Sequence, residues 1–394
     1  MFVSHLSLSD FRNYAVAEVE LRPGANLIVG RNGQGKTNLV EALGYLSTLG
    51  SHRVSNDHAM IRAGRDAAII RARLENGQRS ILAEVQLNRV GANRAQINRS
   101  AIKPRELPRY FSSVLFAPED LALVRGEPSG RRRFLDQLLI LRSPRLSGVL
   151  ADYDRVLKQR NTLLKSARAR GVRGDALSTL DIWDERLVAL GSEIIDERLE
   201  LTRALLEPLR RAYHAVAGDD HGPDLRPQLS ILGADIDADD VSPRPGPELL
   251  PRDSSSEAPA DGGTAGRFRA ALAAVRGKEL DRAITLVGPH RDDLVFMLND
   301  LPAKGYASHG ESWSFALALK LAAAEILRRE ATAGDPVLIL DDVFAELDQQ
   351  RRSRLAEAVT GYEQVLITAA VLDDVPAALA AHTIHIRAGE VVDA

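Results

Sequence analysis

The sequence predicts an α/β protein, with a mixed sheet and an antiparallel lobe in one part and an α-helical hairpin in another. An apolar run at 26–29 leads through a glycine-rich loop into helix-forming residues, which is a strand–loop–helix pattern. A second apolar run, 337–340, ends in two aspartates. Between them, apolar residues over 146–205 recur mostly at spacings of three and four, which is typical of long amphipathic helices.

The glycine-rich loop fits the phosphate-loop pattern G-x-x-x-x-G-K-[ST] over residues 30–37. Because the N–H groups at the start of the following helix would point at phosphates, we expect ATP here and not an ordinary glycine-rich turn. Lys36 is expected to reach the β- and γ-phosphates, and Thr37 to hold Mg²⁺. The predicted nucleotide contacts of this segment are Gly30, Arg31, Asn32, Gly33, Gln34, Gly35, Lys36, Thr37 and Asn38.

An antiparallel lobe is expected beside this loop. Runs at 67–74 and 79–87 have strand composition and meet at Asn76-Gly77, a pair that favours a tight hairpin turn. A third strand is expected at 95–97. The β-structure of the protein therefore begins close to the predicted nucleotide site.

Composition limits the classes of protein to consider. The chain has 394 residues, 45% of them hydrophobic, no cysteine and a net charge of −3. It is long enough for two or three domains, and it cannot form disulfides or thiolate metal sites. Since no apolar stretch has membrane-spanning length and the first residues lack the regions of a signal peptide, we expect a cytoplasmic protein without a membrane partner.

Two long helices are predicted in the middle of the chain. Apolar stripes over 146–164 and 180–205 are separated by the basic, glycine-containing segment 167–174. Such stripes are often plain core, but their narrow width and polar flanks favour an antiparallel hairpin that buries its stripe on itself and projects as an arm. Residues 235–266 contain aspartates, prolines, serines and glycines without an aromatic residue, which predicts a disordered linker.

The apolar run at 337–340, which ends in two aspartates, completes the predicted nucleotide site. Asp341 is expected to hold Mg²⁺, and Asp342 lies where a general base or water-orienting carboxylate commonly stands. Since Asp is shorter than the Glu usually found there, hydrolysis is expected to be slow. Upstream, Ser308-His309-Gly310 begins a predicted helix, whose N–H groups suit a γ-phosphate. A Ser-x-Gly turn alone is weak evidence, but its order with 341–342 and 346–348 is informative.

Separate stretches of the chain support a family resemblance, namely Phe11-Arg12-Asn13-Tyr14, 116–121, 131–136 and 288–293. They resemble the SMC-like heads of the ABC-type ATPases of DNA repair, and most closely the RecF family of bacterial recombination mediators. Glu127 departs from the small residue that this family prefers, and the signature at 308–312 reads Ser-His-Gly-Glu-Ser instead of a glycine- and glutamine-rich form. Thr368 stands near the position of the histidine switch of transporters.

The resemblance implies an ABC-type ATPase head that binds ATP and Mg²⁺ and dimerises through the nucleotide. The signature turn of one subunit, Ser308 to Gly310, would close over ATP bound to the phosphate loop of the other, and Asp348 would also contribute. Glu119 would take the Q-loop position and assist catalysis together with Lys36, Asp341 and Asp342. Arg12 would touch the nucleotide. Arg12 and Glu119 could instead be ordinary surface charges.

The resemblance also implies DNA as a partner. A basic run is usually a solvated face, but in this family Arg131, Arg132, Arg133, Lys158, Arg168 and Arg170 would contact backbone phosphates. The expected substrate is gapped DNA or a junction of single- and double-stranded DNA. By the same resemblance the protein partners would be RecR, RecO and RecA, with the chain itself forming an ATP-dependent homodimer.

The sequence hypothesis is therefore an ATP-dependent, DNA-binding recombination mediator with weak, DNA-stimulated ATPase activity. Its expected organisation is an N-terminal head segment at 1–120, a helical arm with the linker at 121–280, and a C-terminal head segment at 281–394. Two alternatives remain at this point. One is an ABC-type subunit coupled to transport, and the other is a structural head that does not hydrolyse ATP.

Overall fold

A computed structural model of the chain describes residues 1–171, 178–233, 263–331 and 334–392. Its helices are α1 (Lys36–Thr48), α2 (Leu121–Arg125), α3 (Pro128–Arg142), α4 (Leu146–Arg170), α5 (Ser178–Ala217), α6 (Gly263–Arg282), the short turn α7 (Ala303–Tyr306), α8 (His309–Glu330) and α9 (Gln349–Val359). Its strands are β1 (Phe2–Phe11), β2 (Tyr14–Glu20), β3 (Gly24–Val29), β4 (Ala67–Asn76), β5 (Arg79–Asn88), β6 (Arg94–Ile97), β7 (Ser100–Ile102), β8 (Ser113–Phe116), β9 (Asp224–Gln228), β10 (Asp293–Leu298), β11 (Leu301–Pro302), β12 (Val337–Asp341), β13 (Gln364–Ala369), β14 (His382–Arg387) and β15 (Glu390–Val392).

The chain forms two compact units. The first contains Met1–Arg125, Glu207–Pro223 and Ala307–Ala394, and the second contains Gly126–Leu206 and Asp224–Tyr306. None of the helices in the described ranges combines the length and the apolar character that crossing a bilayer requires.

A six-stranded sheet at the centre of the first unit positions the predicted nucleotide residues. Its order is β15-β14-β3-β13-β12-β8, and all neighbours are parallel except the β14–β15 pair. β12 is buried along its whole length, as expected for a strand covered on both faces. Because β3, β13 and β12 are mutually parallel, the loop after β3 and the aspartates at the end of β12 lie at the same edge of the sheet.

The predicted antiparallel lobe is a second six-stranded sheet of this unit, with the order β2-β1-β4-β5-β6-β7. β4 and β5 pair from Ala67↔Asn88 to Asn76↔Arg79, so the predicted hairpin forms, but its two loop residues are Gly77 and Gln78, one position beyond the predicted Asn76-Gly77 pair. Along β4 buried and more exposed side chains alternate, because only one face of the sheet packs on the core. Together the two sheets and the helical hairpin confirm the predicted α/β fold class.

The second unit contains the helical hairpin. α4 and α5 share a hydrophobic core that includes Tyr153, Leu187 and Ile195. The apolar spacing predicts that this stripe is buried on itself, but α6 also packs into it through Phe268 and Leu272. The hairpin loop at 172–177 lies outside the described residues.

The predicted linker at 235–266 falls largely on residues 234–262, which lie outside the described residues. For the last four residues of this range the prediction is wrong, because they form the start of α6, which begins at Gly263. Three residues of α6 at helical spacing are buried, namely Phe268, Leu272 and Val275. Because their packing stabilises the helix, α6 begins within the glycine-containing segment and not after it.

Candidate nucleotide site

The phosphate loop joins β3 to α1, and two of its glycines are required by close contacts. Gly35 has a φ of +115°, and a Cβ there would lie 2.7 Å from the hydroxyl oxygen of Tyr14. Gly30 has no room for a Cβ either, because that atom would overlap the main-chain carbonyl of Ile386 in β14. The two glycines are therefore required by the close approach of the neighbouring strands β2 and β14 as well as by the turn of the loop itself.

The turn between β1 and β2 supports this loop. The Asn13 side chain donates a hydrogen bond from Nδ2 to the carbonyl oxygen of Gln34 at 3.2 Å. Asn38, in the first turn of α1, donates in return to Asn13 Oδ1 at 2.7 Å. The Phe11–Tyr14 motif is known from the sequence only through the family resemblance. In the structure its Asn13 stabilises the phosphate loop by hydrogen bonds.

Lys36 is the first residue of α1 and is buried, with 4% of its surface exposed. Its Nζ lies 3.5 Å from the carbonyl oxygen of Arg31 and 3.4 Å from Asn32 Oδ1. Both distances are long for hydrogen bonds. The ammonium group is therefore held inside the loop by weak contacts, which suits a group that would bind phosphate oxygens.

A hydroxyl–carboxylate cluster links the loop to the end of β12. Asp341 is almost fully buried, and its Oδ1 accepts hydrogen bonds from Thr37 Oγ1 at 3.1 Å and Thr368 Oγ1 at 2.6 Å. Thr37 and Asp341 are 304 positions apart in the sequence. Hydroxyl and carboxylate oxygens are the hard ligands that Mg²⁺ prefers, so these residues fit the predicted cation.

Asp342 has a different environment from its neighbour. Its backbone is left-handed, with a φ of +51°, and its N–H donates to Thr368 Oγ1 at 2.9 Å. Burial raises the pKa of the Asp342 carboxyl, and the nearby Asp341 and Glu119 carboxylates act in the same direction, whereas Lys36 lowers it. Glu119 itself is exposed in the turn after β8.

Arg12 forms an ion pair with a glutamate of α1. Its Nε and Nη2 donate to the two carboxylate oxygens of Glu41 at 2.8 and 2.6 Å, and its Nη1 donates to the carbonyl oxygen of Ala59 at 2.9 Å. Glu41 is buried, so this bidentate pair anchors the start of the chain to the helix after the phosphate loop. A contact of Arg12 with nucleotide stays a prediction.

The signature turn caps α8. Ser308 Oγ accepts from the Glu311 N–H at 3.2 Å, while the Glu311 carboxylate accepts from the Ser308 N–H at 2.7 Å, forming a capping box. A Cβ at Gly310 would lie 2.8 Å from Arg351 Nη1. Asp348 Oδ1 accepts from the Arg351 N–H at 2.9 Å and thereby caps α9. The roles of Ser308, Gly310 and Asp348 toward nucleotide stay predictions.

Comparison with known proteins decides the family. Residues 2–388 match the family described as RecF/RecN/SMC N terminal domain. The chain is 69% identical to the DNA replication and repair protein RecF of Leifsonia xyli, with all of both chains covered. It is also 52% identical to the RecF of Streptomyces avermitilis, covering 99% of each. This chain belongs to the RecF family.

Solved structures agree with this placement. The recombination mediator protein RecF with ATPrS, described in the RecFOR pathway, superposes with a TM-score of 0.84 at 27% identity, over 99% of this chain and 97% of that one. An Smc head domain of Pyrococcus furiosus matches with a TM-score of 0.52 at 16% identity, covering 99% of this chain and 96% of that one, and supports the fold alone. The ABC-type ATPase head predicted from the sequence is therefore confirmed.

The structure corrects one residue of the predicted DNA contacts of this RecF-family chain. Arg131 is buried, and its Nε and Nη2 donate to the two carboxylate oxygens of Asp293 at 2.7 and 2.8 Å. Its guanidinium carbon also lies 5.9 Å from the centre of the Phe296 ring. Arg131 therefore joins α3 to β10 and is not available to DNA, because its charge is neutralised inside the second unit.

The other predicted DNA contacts differ in exposure. Arg132 is partly buried and donates from Nη1 to the carbonyl oxygen of Asp292 at 2.7 Å, while burial and the nearby Arg198 charge lower its pKa. The exposed members are Arg133, Lys158, Arg168 and Arg170. Their role in DNA binding stays a prediction.

Sequence reasoning missed several residues of the RecF-family nucleotide site. Asn13 and Glu41 have polar partners that are distant in sequence, and no local pattern signals such partners. Thr368 is noted in the sequence only as the position of a transporter histidine, whereas its hydroxyl binds both aspartates of the β12 end. The register of β12 with β13 pairs Asp341 with Thr368, and this register is known from the structure and not from the sequence.

Proposed function

We propose that this protein is an ATP-dependent, DNA-binding recombination mediator that forms an ATP-clamped dimer on gapped or junction DNA and assists RecA loading. The observation that carries the proposal is the Thr37–Asp341–Thr368 cluster, which joins the phosphate loop to the carboxylate strand in one site. The match to a RecF structure described with ATP supports the same nucleotide. The protein would act in the cytoplasm, with RecR and RecO as partners.

ATP with Mg²⁺ would bind as follows. Lys36 and the N–H groups at the start of α1 would hold the phosphates, and Thr37 with Asp341 would hold the cation. The cation would neutralise phosphate charge and orient the terminal phosphate. Ser308 and Gly310 of a second copy would then bind the γ-phosphate at the start of α8. ATP would thus form part of the dimer interface, and loss of its γ-phosphate would release the clamp.

Hydrolysis would be slow and would act as a release timer. Asp342 is the proposed general base, assisted by Glu119, because it follows the cation-binding Asp341 and faces the Lys36 charge. Its raised pKa keeps the carboxylate a stronger base than an exposed aspartate. Its side chain is nevertheless one methylene shorter than a glutamate, which limits its reach toward an attacking water.

DNA would be bound through backbone phosphates. The exposed members of the predicted set, Arg133, Lys158, Arg168 and Arg170, remain the proposed contacts, with Arg132 contributing through its remaining donors. Such contacts carry no base preference, so the protein would recognise DNA structure and not sequence. The transport-coupled alternative has no supporting observation, since the chain belongs to the RecF family.

The test is the mass of the protein in solution by light scattering, without nucleotide, with ADP, and with ATP plus gapped DNA. We expect a dimer only with ATP, strengthened by DNA. The Lys36→Ala protein should remain a monomer under every condition, because it lacks the ammonium group that binds the β- and γ-phosphates. A Lys36→Ala protein that dimerises with ATP, or a wild-type protein that never does, would contradict the clamp.

A further inference from the structure

His52 lies beside the predicted cation site, although neither the phosphate-loop pattern nor the carboxylate strand includes it. It belongs to the segment that follows α1, and its neighbours anchor that segment to the helix. Ser51 Oγ donates to a carboxylate oxygen of Glu41, and Arg53 Nη1 donates to Asn38 Oδ1 at 3.0 Å. The backbone that carries the imidazole is therefore anchored on both sides of His52.

The His52 side chain is oriented toward Asp341. Its Nε2 lies 3.7 Å from Asp341 Oδ2, and only 15% of the side chain is exposed. The Nε2 atom is fully buried and has no hydrogen-bond partner in the described part of the chain. A buried polar atom without a partner is uncommon in folded proteins, so it indicates a partner that binds from outside the chain.

The two oxygens of Asp341 have different surroundings. Oδ1 accepts the two threonine hydroxyls, whereas Oδ2 is the oxygen that faces the imidazole. A separation of 3.7 Å is too long for a direct hydrogen bond, but it is suitable for a single bridging atom that contacts both groups. Nε2 and Asp341 Oδ2 therefore converge at the edge of the predicted cation site, where one ligand of the cation would contact both.

We propose that His52 is a positioning residue for the divalent cation of the nucleotide site, with Nε2 hydrogen-bonded to a water molecule on the cation that Thr37 and Asp341 hold. The inference rests on the proposed binding of ATP with Mg²⁺ and adds a residue to it. Loss of a group that orients cation ligands commonly weakens metal affinity by about tenfold or more. His52 thus sets how tightly the cation is held without contributing to phosphate binding.

The experiment uses the full chain with bound ATPγS and measures Mn²⁺ affinity by electron paramagnetic resonance. We expect His52→Leu to weaken Mn²⁺ binding about tenfold. His52→Gln should restore most of the loss, because its amide oxygen can accept the hydrogen bond of the cation-bound water in place of Nε2. The matched control is His58→Leu, an exposed histidine of the same segment, which should leave Mn²⁺ affinity unchanged. Binding of ATPγS in EDTA should be equal in all four proteins.

The outcomes separate this inference from the proposed function. Unchanged Mn²⁺ affinity in His52→Leu would overturn the role of His52 while leaving the nucleotide site intact. Weaker ATPγS binding in EDTA, absent with ADP, would also overturn it, because the imidazole would then contact the γ-phosphate instead of the cation. A wild-type protein that binds no ATPγS at all would overturn the proposed function itself.

Discussion

The chemistry of an ionisable side chain in this protein depends on the groups around it more than on its position in a motif. Asp341 and Asp342 are adjacent, yet the first accepts two threonine hydroxyls and the second has a left-handed backbone and a raised pKa. The same holds for histidines. Among the residues that the structure describes, His52 Nε2 has no hydrogen-bond partner and faces Asp341, whereas His290 has both ring nitrogens engaged.

His290 makes the stability of the second unit depend on pH. Tyr153 donates to Nδ1 at 2.7 Å, and Nε2 lies 3.3 Å from the Thr285 carbonyl oxygen, so the ring is neutral with its proton on Nε2. Burial lowers the pKa of His290 to about 3, and the charge of Arg291 acts in the same direction. Since the unfolded chain binds a proton below about pH 6.5 and the folded chain does not, stability falls as pH falls between these values.

At pH 5 the loss from this one residue is about 2 kcal/mol relative to pH 7.5. We expect His290→Gln to remove that part of the pH dependence. The measurement is urea unfolding at both pH values, followed by Trp183 fluorescence in a Trp313→Phe background. Equal pH dependence in His290→Gln and the parent protein would contradict the assignment.

At the scale of elements, α3 presents different faces to the core and to solvent. Arg131 and Arg133 are two positions apart, which on a helix places them far apart around the axis. Arg131 is buried against Asp293, while Arg133 is exposed. A run of three arginines therefore contains one structural residue and one candidate for DNA binding.

Substitutions should separate these two roles. We expect Arg131→Met to lower the free energy of unfolding by about 3 kcal/mol, because it leaves the Asp293 carboxylate without its partner. Arg133→Ala should leave stability unchanged and lower the slope of log affinity for duplex-containing DNA against log salt by about 0.9, as for one lost phosphate contact. The measurements are urea unfolding and a salt titration of DNA binding.

The control is the Arg131→Met/Asp293→Leu double variant, which removes both charges and should recover part of the lost stability. A change in salt slope with Arg131→Met while the protein stays folded would restore that residue to the DNA interface. An unchanged slope with Arg133→Ala would move the DNA site away from α3.

For the whole molecule, the proposed clamp links hydrolysis to the lifetime of the dimer. We expect Asp342→Asn to dimerise with ATP like the wild-type protein but to dissociate at least tenfold more slowly, because the general base is lost while the groups that bind phosphate and cation remain. The measurement is the decay of dimer mass after dilution, with phosphate release recorded in parallel. Dissociation at the wild-type rate without phosphate release would show that hydrolysis does not time the clamp.

The local sequence was sufficient for the elements that carry the candidate site. The strand–loop–helix of β3 and α1, the hairpin of β4 and β5, and β12 were all predicted, because glycine spacing, turn pairs and apolar runs constrain the backbone over a few residues. The family resemblance was confirmed for the same reason, since its motifs are short continuous stretches.

Only the tertiary structure decided which polar groups meet. Arg131 and Asp293 are 162 positions apart, and the pairing of Thr37 with Asp341 spans 304. No local pattern distinguishes a buried arginine from an exposed one in a basic run, or predicts that His52 faces Asp341. The partner of a charged or polar side chain depends on how distant strands and helices pack, and that partner determines whether the group stabilises the fold or can bind a ligand.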